Sequence, residues 1–101
     1  MKSLNDVIFY ESLPKLDLHG YDSQTAKVAI NDFINDNKKT KQEVFVIMHG
    51  NGTGILKKTT DETLRKNKNV LEFKRTICNT GCTLVRIKFD INKEIWYNLL
   101  E

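Results

Sequence analysis

Long apolar runs are missing from this chain. The longest is far too short to cross a bilayer, and the opening Met1-Lys2-Ser3-Leu4-Asn5-Asp6 has no apolar stretch of the signal-peptide kind. The expectation is a cytoplasmic protein with no membrane partner. Cysteine is scarce: Cys78 and Cys82 are the two present, four positions apart around the turn-like Asn79-Thr80-Gly81. Too few thiols and imidazoles lie near them for a zinc site. In a reducing compartment both are expected to be reduced and structural, a disulfide across the turn being the alternative. Charge is not extreme either. A formal net charge of +3 and a pI near 8.9 favour nucleic acid only slightly over other partners. Repeats and low-complexity tracts are absent. What remains, 101 residues at 40% hydrophobic and 29% charged, is enough for one domain with one compact core.

The periodicity predicts the order of elements. Residues 1–14 read as a lead segment ending at the single proline, Pro14, and residues 15–90 as the folded domain. Leu16 and Leu18 alternate with Asp17 and His19, the period of a short strand that places Asp17 and His19 on one face. Gly20 ends it. Asp22 or Ser23 caps a helix whose stripe is Ala26, Ala29, Ile30, Phe33 and Ile34. Residues 43–48 form a nearly unbroken apolar run, suited to a central strand covered on both faces. A loop at 49–54 leads into a helix over about 55–67, with Ile55, Leu56, Thr59, Thr63 and Leu64 expected inside. Strands follow at 70–78 and 83–89, and Asn92 caps a short helix in a tail of residues 91–101. Strand–helix–strand connections in one sheet are right-handed and parallel. The order β-α-β-α-β-β therefore predicts a small two-layer α/β sandwich, or a three-layer one, with a mostly parallel sheet and the fourth strand returning as a hairpin.

That topology gathers the chemistry. Parallel strands present their C-terminal ends at one edge, where ligands bind. Asp17 and His19 close the first strand and His49 closes the second, so both histidines of the chain are expected at that edge. Histidine is the side chain best suited to proton transfer near neutral pH, and a carboxylate beside an imidazole fixes its tautomer, the role expected of Asp17. The loop Gly50-Asn51-Gly52-Thr53-Gly54 opens a helix. Glycines allow positive φ and close backbone approach, and unpaired N–H groups at a helix start attract anions. Lys57 and Lys58, one turn further on, add charge, and Thr53 adds a hydroxyl. The nucleotide loops fit poorly, the third glycine coming too early for a dinucleotide loop and no glycine directly preceding either lysine for a P-loop. A metal held by Asp17, His19 and His49 lacks an evident fourth ligand. Neither a metal nor any other cofactor is expected. Arg65, Lys66, Lys68, Lys74, Arg75, Arg86 and Lys88 read one by one as solvated surface. Trp96 and Tyr97 could stack on a base, although packing against the sheet is the simpler expectation.

Leu16-Asp17-Leu18-His19-Gly20, His49-Gly50-Asn51-Gly52-Thr53-Gly54, the helix pattern from Ala26 to Ile34, and Gly81-Cys82-Thr83-Leu84-Val85 together resemble the Smr domain. That family is named for its relation to the C-terminal region of certain MutS-like proteins. The resemblance covers about residues 16–88. It implies a fold like the C-terminal domain of bacterial translation initiation factor three. It also implies nucleic-acid binding and, in many members, endonuclease activity: nicking of DNA, or cleavage of RNA, including messenger RNA on stalled ribosomes. The family's D-x-H motif falls on Asp17 and His19, and its H-G-x-G-x-G loop on His49, Gly50, Gly52 and Gly54. The longer glycine-rich stretch usual near the end is reduced here to Gly81. The chain looks like the stand-alone form, expected in DNA repair or ribosome quality control.

Two functions are therefore expected to compete. In the first, the protein is a metal-independent endonuclease in which one of His19 and His49 takes a proton and the other gives one, while Gly50 to Gly54, Lys57 and Lys58 hold the phosphate. In the second, the same loop and basic edge bind RNA, DNA or the ribosome without chemistry. A small-molecule phosphate enzyme ranks third, since little chain is left to build a lid.

Overall fold

The computed structural model describes residues 12–76 and 80–88. They form β1 (Lys15–Asp17), α1 (Ser23–Lys39), β2 (Val44–Met48), α2 (Ile55–Lys66), β3 (Val70–Arg75) and β4 (Cys82–Ile87). The expected element order is the observed one. The lead segment up to residue 11, Cys78, the tail with the short helix expected there, and Trp96 and Tyr97 lie outside the described residues.

α1 begins where Asp22 Oδ1 accepts the Thr25 N–H at 2.7 Å and ends with Lys38 and Lys39 in its last turn, opposite charges at opposite ends of the helix dipole. Its buried stripe of Ala26, Ile30 and Ile34 packs on one face of the sheet, against Leu18, Phe45, Ile47, Val85 and Ile87. Phe33 meets Phe45 edge to face, with ring centroids 5.0 Å apart. α2 packs beside α1, and its inner face differs from the expected one. Leu56, Thr60, Thr63 and Leu64 follow the spacing i, i+4, i+7, i+8 and turn inward. Ile55, one residue earlier and so turned by about 100°, is 58% exposed.

The sheet order is β1-β2-β4-β3, a mixed sheet in which the fourth strand returns as a hairpin on the third as expected, and the expected parallel character holds only in part. β1, β2 and β3 do run in the same direction, but only β1 and β2 pair side by side. β4 is antiparallel to both of its neighbours. The reason is burial. Thr83, Leu84, Val85 and Ile87 are all buried, which requires cover on both faces and a partner on each side, whereas β3 carries Glu72, Lys74 and Arg75 and has no fully buried residue. The last strand therefore takes the inner position and the charged one takes the rim.

Side chains alternate between the two faces. Leu16, Phe45, Ile47, Thr83, Val85, Phe73 and Arg75 share the parity of the helix-covered face. Lys15, Asp17, Val44, Val46, Met48, Cys82, Leu84 and Arg86 share the other.

Candidate functional site

β1 and β2 end, β3 ends and β4 begins at one edge, and the loops leading into both helices leave from it. The register aligns Asp17 with Met48 and Met48 with Cys82. The Leu18 N–H donates to the Met48 carbonyl at 2.9 Å, extending the pairing one step beyond the strand. His19 and His49, thirty positions apart in sequence, thus stand on adjacent chain segments.

The first segment is open to solvent. Asp17, His19 and Gly20 are all exposed. Asp17 Oδ1 accepts the backbone N–H of His19 at 2.9 Å, a turn closed by the Tyr21 N–H on the Leu18 carbonyl at 3.0 Å and by Gly20 at φ +81°. Asp17 therefore shapes the backbone that carries His19, where contact with the ring was expected. Among the described residues the His19 ring has no hydrogen-bond partner.

The second segment is closed. His49 is 6% exposed, and both of its ring nitrogens are bonded. Nδ1 lies 2.9 Å from the Gly50 carbonyl, which can only accept, so Nδ1 carries a proton. Nε2 lies 2.7 Å from Thr83 Oγ1. That hydroxyl accepts from Arg75 Nη1 at 2.7 Å and so has its own proton to give to Nε2. Arg75 in turn holds Asp61 of α2 with both Nη atoms, at 2.8 and 2.7 Å. Burial lowers the His49 pKa below its ordinary value and the Arg75 and Lys57 cations lower it further, with the Gly50 bond opposing, so the ring is neutral near pH 7. The bond from Arg75 likewise lowers the Asp61 pKa. The His49 ring lies on the helix-covered side with Thr83 and Arg75, and Asp17 lies on the other side beside Met48 and Cys82. Edge and loop are shared, but the Asp17 carboxylate and the His49 ring belong to opposite faces of the sheet.

The loop is fastened at several points. The N–H groups of His49 and Gly50 both donate to the Gly81 carbonyl at 2.9 Å, so that of Gly50 is already committed. Asn51 Oδ1 accepts Lys57 Nζ at 2.9 Å and Thr80 Oγ1 at 3.1 Å, tying the loop to α2 and to the β3–β4 turn. Thr53 Oγ1 takes a long bond of 3.4 Å from the Ile55 N–H. Gly54, at φ +86°, starts the helix without a side-chain cap, and the first intrahelical donor is the Lys58 N–H, on the Gly54 carbonyl. The N–H groups of Leu56 and Lys57 therefore remain without a partner in the helix. Lys58 is exposed, beside a shallow groove also lined by Gly54, Lys57, Asp61, Glu62 and Arg65. Among the described residues no three of His, Cys, Asp and Glu gather as a metal would require.

Asp61, Thr83 and the role of Arg75 escape a reading along the chain. A signal existed, since period two puts Arg75 and Thr83 on the buried face, where a cation needs a carboxylate. Arg86, the other strand arginine, is also engaged, with Glu72 at 2.9 Å and Glu43 at 3.5 Å.

A family model for the Smr domain matches residues 16–88. The chain is 34% identical over 67 residues to Endonuclease MutS2 of Staphylococcus carnosus, covering 66% of this chain and 9% of that protein. It is 32% identical over 77 residues to Endonuclease MutS2 of Staphylococcus saprophyticus, covering 73% and 10%. It thus spans about a tenth of the length of these relatives. In fold it is similar to the Smr domain of Thermus thermophilus MutS2, with TM-score 0.73 and 24% identity over 75% of this chain and 99% of that one. It is also similar to YdaL, a stand-alone small MutS-related protein from Escherichia coli, with TM-score 0.73 and 16% identity over 79% and 68%.

Proposed function

The chain belongs to the Smr domain family, and from that premise we propose that it binds nucleic acid along the edge described above and cleaves phosphodiester bonds there. The observation that carries the reading is an exposed imidazole, His19, on the segment adjacent to a glycine loop whose helix start keeps unpaired N–H groups. The relatives named as endonucleases support it.

In this reading the loop from Asn51 to Gly54, the first turn of α2 and the Lys58 ammonium hold the phosphate, Lys57 exchanging Asn51 for a phosphate oxygen when substrate arrives. His19 takes the proton of the attacking oxygen and Asp17 holds the turn that aims it. His49 is neutral and bonded at both nitrogens, so it serves the loop, and the acid–base exchange between two imidazoles reduces to one. RNA suits a single imidazole better than DNA, because the 2′-hydroxyl is already in place and no water has to be positioned. The 2′-oxygen loses its proton to His19 and bonds to phosphorus; the bond to the 5′-oxygen breaks, and that oxygen takes a proton from solvent. The products are a 2′,3′-cyclic phosphate and a 5′-hydroxyl. On this reading the protein works in the cytoplasm on RNA, ribosome-bound messages included; nicking of DNA in repair is the version that uses water.

The test is cleavage of defined RNA and DNA by the purified protein, with and without chelator, followed by end-group analysis. A single 2′-deoxy nucleotide at the cut site should abolish RNA cleavage, and His19→Ala should lower the rate about 10²–10⁴-fold with binding retained. Continued cutting of the deoxy-substituted strand refutes internal attack. A binding module without chemistry is the second reading, favoured by the full engagement of His49, and it stands if no substrate is cut at any pH. In both readings affinity falls steeply with salt as counterions are released.

A further inference from the structure

We infer that Asp61, Arg75 and Thr83 are positioning residues that act on the glycine loop through the His49 ring. The inference rests on the reading of that loop as a phosphate cradle, and adds three residues from three elements to it.

The polarity of the row is fixed from its two ends, the Asp61 carboxylate and the Gly50 carbonyl, each of which only accepts. Asp61 is a carboxylate and only accepts, from both Nη atoms of Arg75. Arg75 only donates, and its third bond goes to Thr83 Oγ1 at 2.7 Å. At the other end the Gly50 carbonyl only accepts, so the one proton of the neutral ring sits on Nδ1. Nε2 is then an acceptor, and the Thr83 hydroxyl gives its proton to it. One tautomer and one ring orientation satisfy the whole row. Thr83 is fully buried, so none of its bonds is exchanged for water.

The consequence for the loop follows from the peptide plane. The Gly50 carbonyl and the Asn51 N–H belong to one trans peptide and point in opposite directions. Holding the carbonyl on the buried ring turns the Asn51 N–H away from the interior, toward the side where an anion would sit. The Gly81 carbonyl fixes the other end of the same residue through the Gly50 N–H. A ring without its Thr83 partner could rotate or change tautomer, and the Gly50–Asn51 plane would then lose its reference.

The test compares Thr83→Val, which keeps the shape and loses the hydroxyl, with Thr83→Ser, which keeps the hydroxyl. Three quantities are read: the His49 ring nitrogen shifts by ¹⁵N NMR, the Asn51 amide resonance, and the affinity for a fluorescein-labelled single-stranded oligoribonucleotide. Wild type should show a protonated Nδ1 and an accepting Nε2. Thr83→Val should give mixed tautomers, a displaced Asn51 amide and affinity lowered about three- to tenfold, as for loss of one buried hydrogen bond, and Thr83→Ser should restore all three. Ring and amide shifts of Thr83→Val that match wild type overturn the inference, as does failure of the serine to rescue. If both shifts respond but wild type itself does not bind the oligonucleotide, the positioning role stands and the phosphate reading falls.

Discussion

The two His-Gly pairs of this protein have the same sequence and nearly the same glycine backbone, with φ +81° at Gly20 and +73° at Gly50, and each follows a strand end, His19 two residues beyond β1 and His49 one beyond β2. Their surroundings are opposite. His19 is exposed on a turn held by the Asp17 carboxylate. His49 is buried, with both nitrogens bonded and its charged form disfavoured. Two things separate them: the one-residue offset, which gives His49 the helix-covered parity and His19 the other, and the neighbour on the far side. β1 is a three-residue strand at the rim of the sheet, so among the described residues no strand stands beyond His19. β2 is an inner strand, so His49 meets Thr83 of β4 and, behind it, Arg75 and Asp61. A dipeptide states what chemistry is available, and the strand order decides whether that chemistry faces a substrate or is used to hold the fold.

The widest separation of the two pairs comes from exchanging each histidine for alanine. His19→Ala should leave the unfolding free energy from urea titration unchanged to within about 0.5 kcal/mol, as for an exposed residue whose ring has no hydrogen bond among the described residues, while lowering the turnover attributed to it about 10²–10⁴-fold. His49→Ala strands the Thr83 hydroxyl and removes two buried bonds, and should cost about 2–3 kcal/mol. That is a large share of the roughly 5–15 kcal/mol that holds an ordinary domain together. Equal unfolding midpoints for the two variants would erase the distinction.

The glycines give the next largest contrast. Gly50, Gly52 and Gly54 alternate evenly in sequence, but only Gly50 and Gly54 adopt positive φ, and a Cβ at any of the three meets open space. The cost of alanine is therefore backbone strain alone: about 1–2 kcal/mol at Gly54, as at Gly20 in the other pair, and within about 0.5 kcal/mol at Gly52. Denaturant midpoints of the three alanine variants measure it. A Gly52→Ala variant that keeps its stability but loses nucleic-acid affinity would show that the middle glycine serves ligand approach.

The parts legible along the chain are those that depend on near neighbours. The α1 stripe, the Asp22 cap, the apolar run of β2 and the His49 loop are all local patterns, and each lies where the periodicity put it. The strand order was not legible. A βαβ unit fixes β1 beside β2, but whether β3 or the final strand sits next to β2 depends on the summed burial of Leu84, Val85 and Ile87 against the charges of β3. The row from Asp61 to His49 was hidden for the same reason. Thr83 stands 34 positions from His49, and nothing marks them as partners until β4 is known to lie against β2. The inward turn of Thr60 in place of Ile55 was lost because a threonine and an isoleucine exchange the inner face that hydrophobicity alone would assign.

The smallest expected effect is in the pH dependence of stability, where the buried imidazole has a signature of its own. The folded His49 binds a proton less readily than its unfolded counterpart, whose ordinary pKa is 6.5. Between the two values the unfolded chain carries the extra proton, so stability is complete above about pH 7 and declines as pH falls through 6.5 toward the depressed folded value. Asp61 acts in a lower window. Its folded carboxyl also lies below the ordinary 3.8, held there by Arg75, so its contribution is present above that value and lost as pH falls beneath it. Asp22, lowered by its bonds to Thr25, declines in the same acid window. Urea midpoints taken from about pH 8 to pH 3 should fall in two steps. His49→Asn should remove the upper step and keep the lower. An upper step that survives in His49→Asn would overturn its assignment to the buried imidazole.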